Sequence, residues 1–353
     1  MTLTITLERD HENHDLPFTF CLFPFPMPTT VQSSIAAIEP LRSVDGGHVI
    51  LRGEFTVDPL PTVTFGGAPA RLVFASSRRL VALTPSDLDG GATPVRVDGV
   101  QGSAFVSIGT PWATGLHQVD NPVFDAAGNL YVTYSGPRGE EAPISIFRVT
   151  SAGTREAFAS GIVNATSMAI GPDGALYVSS RFEGAVYRVA ADGTYETIAS
   201  DLGVSCGIAF DAEGWMYVGD RSGTVFRVRD GKATAFATLP PSVVAFHLAI
   251  RSAGDLYVAA PTLDSYDRIY HISRLGEVSR LPAVFGRPQG LAIGPDSALY
   301  VVDALAGNNG VYRLASDEAR PELVVSGVSL IGLAFGPAGE LVVVSNDTAY
   351  RFD

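Results

Sequence analysis

AIGPDGALYV, residues Ala169–Val178, decides the fold, because five other ten-residue lines stack on it without a gap. They are Val123–Val132 (VFDAAGNLYV), Ala209–Val218 (AFDAEGWMYV), Ala249–Val258 (AIRSAGDLYV), Ala292–Val301 (AIGPDSALYV) and Ala334–Val343 (AFGPAGELVV). Successive starts lie 46, 40, 40, 43 and 42 residues apart. A period of about 40–50 residues built from short strands is the signature of a β-propeller, one repeat per blade.

Each line is followed by an aromatic–basic strand: Ile146–Val149, Val186–Val189, Val225–Val228, Ile269–Ile272, Val311–Leu314 and Ala349–Phe352. An outer strand comes next, as at Glu156–Ser160, Glu196–Ser200, Thr234–Thr238 and Glu322–Ser326. The sixth repeat reaches Asp353 without one. Trp112-Ala113-Thr114-Gly115 supplies it upstream, since it matches Phe158-Ala159-Ser160-Gly161 and Trp112 precedes Val123 by the 11 residues that separate Phe158 from Ala169. The spacing predicts that residues 108–114 complete the last blade and close the ring, because an open ring leaves an unpaired strand edge.

Upstream of the repeats, residues 35–109 read as short alternating strands punctuated by Gly and Pro, the pattern of a β-sandwich. Ile35-x-x-Ile38-x-Pro40, Gly46-Gly47-x-Val49-x-Leu51-x-Gly53-x-Phe55 and Val63-x-Phe65-Gly66-Gly67-x-Pro69-Ala70 resemble the IPT/TIG family of immunoglobulin-like domains. The resemblance implies a spacer, dimerisation surface or partner-binding module. The GLAIGPDxxLYVVD…VYRL run at Gly290–Leu314 resembles the NHL and SMP-30/gluconolactonase-like six-bladed propellers. The expected architecture is therefore all-β: a tail over 1–34, an Ig-like β-sandwich over 35–109, and a six-bladed propeller of four-stranded blades over 110–353.

Composition bounds the function. The net charge of −13 argues against nucleic acid and anionic membrane as partners. No apolar run approaches the roughly 18–20 residues of a membrane-spanning helix. MTLTITLERDHENHD lacks the basic start and apolar core of a secretion signal, so a cytoplasmic location, or export by another route, is expected. Lys232 is the only lysine, a bias that fits a GC-rich bacterial genome. Cys21 and Cys206 are the only cysteines and show no metal-type spacing.

The tail carries Phe18, Phe20, Leu22, Phe23, Phe25 and Met27 among prolines. Burying them contributes roughly 10–15 kcal/mol gross, against about 12–24 kcal/mol to order the segment. The tail is therefore expected to be ordered only if it docks, either on its own domains or on a partner, and the reading preferred is a protein partner or another copy.

Propellers bind ligands where the innermost strands begin, at one mouth of the channel. That column gives Asp120, Asn121, Ser167, Ser205, Cys206, His247 and Gln289 as the candidate rim, with Asp120, His247 and Cys206 as candidates for chemistry. The SMP-30 resemblance implies a divalent cation held by an acidic residue, asparagines and an aspartate. Hard cations need several oxygen ligands, and Ser167, Cys206 and Gln289 stand where stronger ligands are expected. No metal ligand set is therefore assigned. Gly203-Val204-Ser205-Cys206-Gly207 spells G-x-S-x-G, but a strand follows where a nucleophile elbow needs a helix. His11-Glu12-Asn13-His14-Asp15 lacks the spacing that places two histidines on one helix face.

Two insertions depart from the repeat, Ser135–Ala142 and Pro261–Asp267. They make Arg138, Glu140, Glu141, Asp264, Tyr266 and Arg268 the candidates for specificity. The recurring arginines Arg148, Arg188, Arg227, Arg313 and Arg351 are expected to serve the fold by pairing with acids of the neighbouring blade. Asp220 and Asp303 are expected to bond turns. The function read from this pattern is a non-catalytic binding or assembly platform, with a small molecule at the channel mouth. The alternative is an SMP-30-like metal-dependent hydrolase or lyase acting on a small ester, lactone or sugar derivative.

Overall fold

The structure, a computed structural model, describes residues 33–251, 253–305 and 309–352. The described residues contain no helix, and residues 33–353 form one compact unit. The candidate tail residues Phe18, Phe20, Leu22, Phe23, Phe25 and Met27 lie outside the described residues, as does Cys21.

Each ten-residue line folds as a hairpin in one register. The small Ala faces the Tyr of the LYV strand at Ala169–Tyr177, Ala209–Tyr217, Ala249–Tyr257 and Ala292–Tyr300. The turn between them is built by the line's own aspartate. In the second repeat Asp173 Oδ1 accepts from Ala175 N at 3.2 Å, and its Oδ2 accepts from Tyr177 Oη and Arg188 Nε. Asp296 does the same for Ala298, Tyr300 and Arg313 in the fifth repeat. The arginine column thus binds within its own sheet, contrary to the expectation of pairing across blades. Arg188 meets Asp173 and Glu196, Arg313 meets Asp296 and Glu322, and Arg148 meets Glu156. The register puts Tyr177 opposite Arg188, and both side chains meet the turn aspartate Asp173.

The result is a set of four-stranded antiparallel sheets consistent with a β-propeller. The second repeat, for example, orders Ala165–Ile170, Leu176–Ser180, Ala185–Val189 and Tyr195–Ala199 from first to last. First strands of successive repeats lie against one another in a closed cycle, with Val123–Phe124 touching both Ala165–Ile170 and Leu330–Phe335. Cores form between sheets, one uniting Val186 with Met216 and Val218, another Tyr257 with Leu291 and Leu299. Edge-on aromatic pairs add to them, Tyr177–Phe210 and Tyr300–Phe335, each with ring centres 4.8 Å apart. Such pairs add about 0.5–1.5 kcal/mol beyond their area.

The strand expected near 108–114 is Thr110–Ala113, and it pairs antiparallel with Ala349–Phe352, completing the sheet of the sixth repeat. Trp112 stacks on Phe124 of the first repeat and lies under Arg351.

Residues 34–108 form two sheets facing across one core. Val49, Leu51, Leu80 and Ala82 come from one sheet, and Val63, Phe65, Val95, Val97, Val106 and Ile108 from the other. A feature without a sequence signature joins this segment to the repeats. The two-residue strand Arg42–Ser43 pairs in parallel with Ala104–Ile108 on one side and with Ser326 on the other. The sheet of the fifth repeat therefore continues into residues 42–108 as nine strands. At the seam Ser43 Oγ bonds Thr84 Oγ1 at 2.6 Å and Ser326 Oγ at 2.8 Å, all three side chains being buried.

Candidate functional site

The first strands line the channel with very little bulk. Asn121, Ser167, Gly207, His247, Gly290 and Gly332 occupy one repeat position, two residues before the first residue of each ten-residue line. Their polar side chains stitch strand to strand. Asn121 Nδ2 donates to Leu291 O at 2.5 Å, and its Oδ1 accepts from Leu333 N at 3.0 Å. Ser167 Oγ accepts from Ile208 N, and Ser205 Oγ donates to Ser180 O and Ala185 O. A serine so bound and buried is no exposed nucleophile, and a strand runs directly on from it.

Asp120 and His247 meet across the channel, from repeats three places apart in the cycle. Asp120 Oδ1 and His247 Nδ1 are 2.6 Å apart, and Oδ1 also accepts from Asn121 N at 2.7 Å. Both side chains are sealed, and neither Asp120 Oδ2 nor His247 Nε2 has a partner among the described residues. The sequence offers Cys206 and Asp120 as neighbours of His247, and of the two its hydrogen-bonding partner is Asp120. Cys206 is buried nearby with Sγ 3.3 Å from Val204 O. Burial, the largest influence, pushes its thiol up to about 11, and the Asp120 charge adds to this.

Above this floor opens a cavity of about 340 Å³. Cys206 and Gln289 of the expected rim line it, with Arg138 from the first insertion. Arg181 and Arg221 also line it, and these the sequence reading missed. They follow Ser180 and Asp220 at one repeat position, 40 residues apart, where the other repeats have Ser135, Pro261, Ala304 and Asn346. That departure from the repeat was the available signal. Burial lowers the Arg181 guanidinium below its usual range; the nearby Cys206 opposes this, while Arg221 and Arg138 add to it.

The remaining loop candidates lie elsewhere. Glu140, Glu141, Asp264 and Tyr266 are exposed and do not line the cavity. Arg268 Nη1 donates to Leu281 O and Pro282 O, within its own repeat. Asp220 and Asp303 bond turns as expected: Asp220 accepts from Val204 N and Ser222 N, Asp303 from Gly286 N and Arg287 N.

The donor set does not fit the divalent cation that the SMP-30 resemblance implies. Among the described residues no three His, Cys, Asp or Glu side chains converge. Asn121 spends both ends of its amide on backbone, and Asp120 spends one oxygen on His247. A hard cation takes six to eight oxygens.

Neither protein-family models nor curated proteins give a match to this chain. Solved structures of propeller-type proteins do resemble it. An auxiliary nutrient binding protein from Bacteroides thetaiotaomicron is 13% identical with a TM-score of 0.55, over 91% of this chain and 97% of that one. A gluconolactonase from Xanthomonas campestris is 16% identical with a TM-score of 0.56, over 68% of this chain and 87% of its own. A catalytically inactive histidine-to-alanine variant of virginiamycin B lyase from Staphylococcus aureus, with quinupristin, is 13% identical with a TM-score of 0.51, over 92% and 96%. At these identities the likeness is one of fold. No helix among the described residues is long and apolar enough to cross a membrane.

Proposed function

We propose that this protein is a non-catalytic binding platform: an Ig-like sandwich over 35–109 of IPT/TIG type, and a six-bladed NHL/SMP-30-like propeller over 110–353 that holds a small molecule at its channel mouth. The tail, residues 1–34, docks to a protein partner or a second copy. One observation carries the binding reading. Asn121 and Ser167 at the channel level are consumed in stitching strands, whereas the side chains of Arg138, Arg181, Arg221 and Gln289, which line the cavity above, bond nothing among the described residues. A nutrient-binding protein among the structural neighbours agrees with it.

Melting the purified full chain against a small-molecule panel tests the platform, with turnover of the same compounds followed in parallel. Binding without turnover is expected. Truncating residues 1–28 and measuring mass in solution tests the tail, and unchanged mass and partner capture would count against it. Deleting residues 108–116 tests ring closure, and an unchanged melt refutes it.

The second reading, a hydrolase or lyase acting on a small ester, lactone or sugar derivative, is favoured by the Asp120–His247 contact. A carboxylate orienting an imidazole whose other nitrogen is unbonded is the arrangement of a general base. Gluconolactone turnover abolished in a folded His247→Ala protein would establish it. Metal analysis before and after chelation completes the test, and stoichiometric metal would revive the cation reading.

A further inference from the structure

We infer that the cavity selects an anionic small molecule, one bearing a carboxylate or phosphate group, through Arg138, Arg181 and Arg221. The inference rests on the binding reading above and adds the chemistry of the ligand. Three consecutive repeats each send one guanidinium to the lining of one cavity of about 340 Å³, a size within the ordinary range of small-molecule sites. No carboxylate lines it. Among the described residues none of the three side chains makes a hydrogen bond, ion pair or stacking contact. The outer arginines differ: Arg148, Arg188 and Arg313 all have acidic partners, and Arg227 lies 4.3 Å over Trp215. In a chain with 24 cationic and 37 anionic residues, three cations gathered without an acid need a cause.

The cluster is held ready. The insertion carrying Arg138 is pinned by Asn164, buried at 1% exposure. Its Nδ2 donates to Ser135 O at 2.6 Å and Pro137 O at 2.8 Å, while its Oδ1 accepts from Gly139 N at 2.7 Å. Arg181 and Arg221 stand at the ends of paired second strands, Leu176–Ser180 and Met216–Asp220. Gathering like charges at one cavity, with Arg181 and Arg221 half-buried and Arg138 exposed, is unfavourable until an anion neutralises them. A planar guanidinium fork matches carboxylate and phosphate oxygens in pairs. The Gln289 amide, without a partner among the described residues, adds a neutral donor and acceptor at the lining. Val119, Val204 and Val244 supply an apolar wall for the body of the ligand.

Calorimetric titration of the full chain at low ionic strength tests this, with citrate as the carboxylate probe, pyrophosphate as the phosphate probe and glucose as the neutral control. One-to-one binding of citrate or pyrophosphate, and not of glucose, is expected. Arg181→Gln and Arg221→Gln should each weaken it at least tenfold, and Arg138→Gln/Arg181→Gln/Arg221→Gln should abolish it. Binding by citrate alone or pyrophosphate alone assigns the anion, and binding by both assigns the chemistry they share. The unliganded Arg181→Gln protein should melt no lower than the parent, since repulsion is relieved, which separates a ligand role from a structural one. Equal anion binding by the triple variant, or none by the parent, overturns the inference. Ala245→Trp, which fills the cavity, keeps the two readings distinguishable. Neutral compounds that bind the parent and the triple variant but not Ala245→Trp would leave the platform standing and remove its anion selectivity. A parent protein that binds no compound at all would remove both.

Discussion

Gly290→Ala puts the packing of the channel to a direct test. A Cβ at this position would sit 2.7 Å from both Gly332 Cα and Ile331 O, and closer still to Asn121 Oδ1. Two of these atoms are backbone, so the first strands of the fifth and sixth repeats must move apart. Overpacking of this kind costs about 1–3 kcal/mol. Displacing the Asn121 amide strands Leu291 O and Leu333 N, at about 1–3 kcal/mol for each unpaired group. Partial relaxation brings the sum to roughly 3–6 kcal/mol. An unfolding entropy of about 2.1 cal/mol/K per residue, over roughly 320 residues, converts this into a fall in Tm of ~4–9 °C. Calorimetry of Gly290→Ala, Asn121→Ala and the double variant reads it. Because one amide is the shared casualty, the double variant should lose less than the sum of the singles. A Gly290→Ala protein melting within 2 °C of the parent (about 1.3 kcal/mol on the same conversion) would refute the close approach of these strands.

Asp120→Ala leaves buried His247 Nδ1 without its partner, and an unpaired buried polar group costs about 1–3 kcal/mol; urea unfolding should show it. Cys206, with its thiol near 11, should react with iodoacetamide at pH 8 about a hundredfold more slowly than a free cysteine, because the thiolate is the nucleophile. Peptide mass mapping checks this, and unfolding should abolish the protection. Asp125, Asp173 and Asp296 fall below the usual carboxylate range, because hydrogen bonds at their turns outweigh the opposing effect of burial. A folded value below the unfolded one gives stability that is present above about pH 4 and lost as pH falls through the folded value. Tm should therefore drop below that pH, and Asp173→Asn/Asp296→Asn should make the drop shallower.

Repetition made the sheets readable. Ala169 pairs with Tyr177 and Ala292 with Tyr300 because the same ten residues meet the same local physics each time. Thr110–Ala113 was readable for the same reason, as a displaced copy of an outer strand. Arg42–Ser43 was not. A two-residue strand has no periodicity, and its partner Ser326 lies far along the chain. The Asp120–His247 contact spans 127 residues and the width of the channel. Alignment places residues at equivalent heights in each repeat, but no alignment says which of them touch across the axis.

The arginines make the same point from the other side. Arg148, Arg188 and Arg313 were conspicuous because they recur, and in those three sheets the cation meets a turn aspartate or an outer glutamate. Selection on a turn acts alike on every repeat, whereas a ligand touches only some of them. Residues that face a ligand should therefore break the repeat, as Arg181 and Arg221 do beside Pro261, Ala304 and Asn346 at the same position. The search for a site in such a chain belongs at positions equivalent in place and different in kind. By that criterion the proposed ligand site lies on the second and third repeats with the insertion of the first, whose Arg138, Arg181 and Arg221 line one cavity.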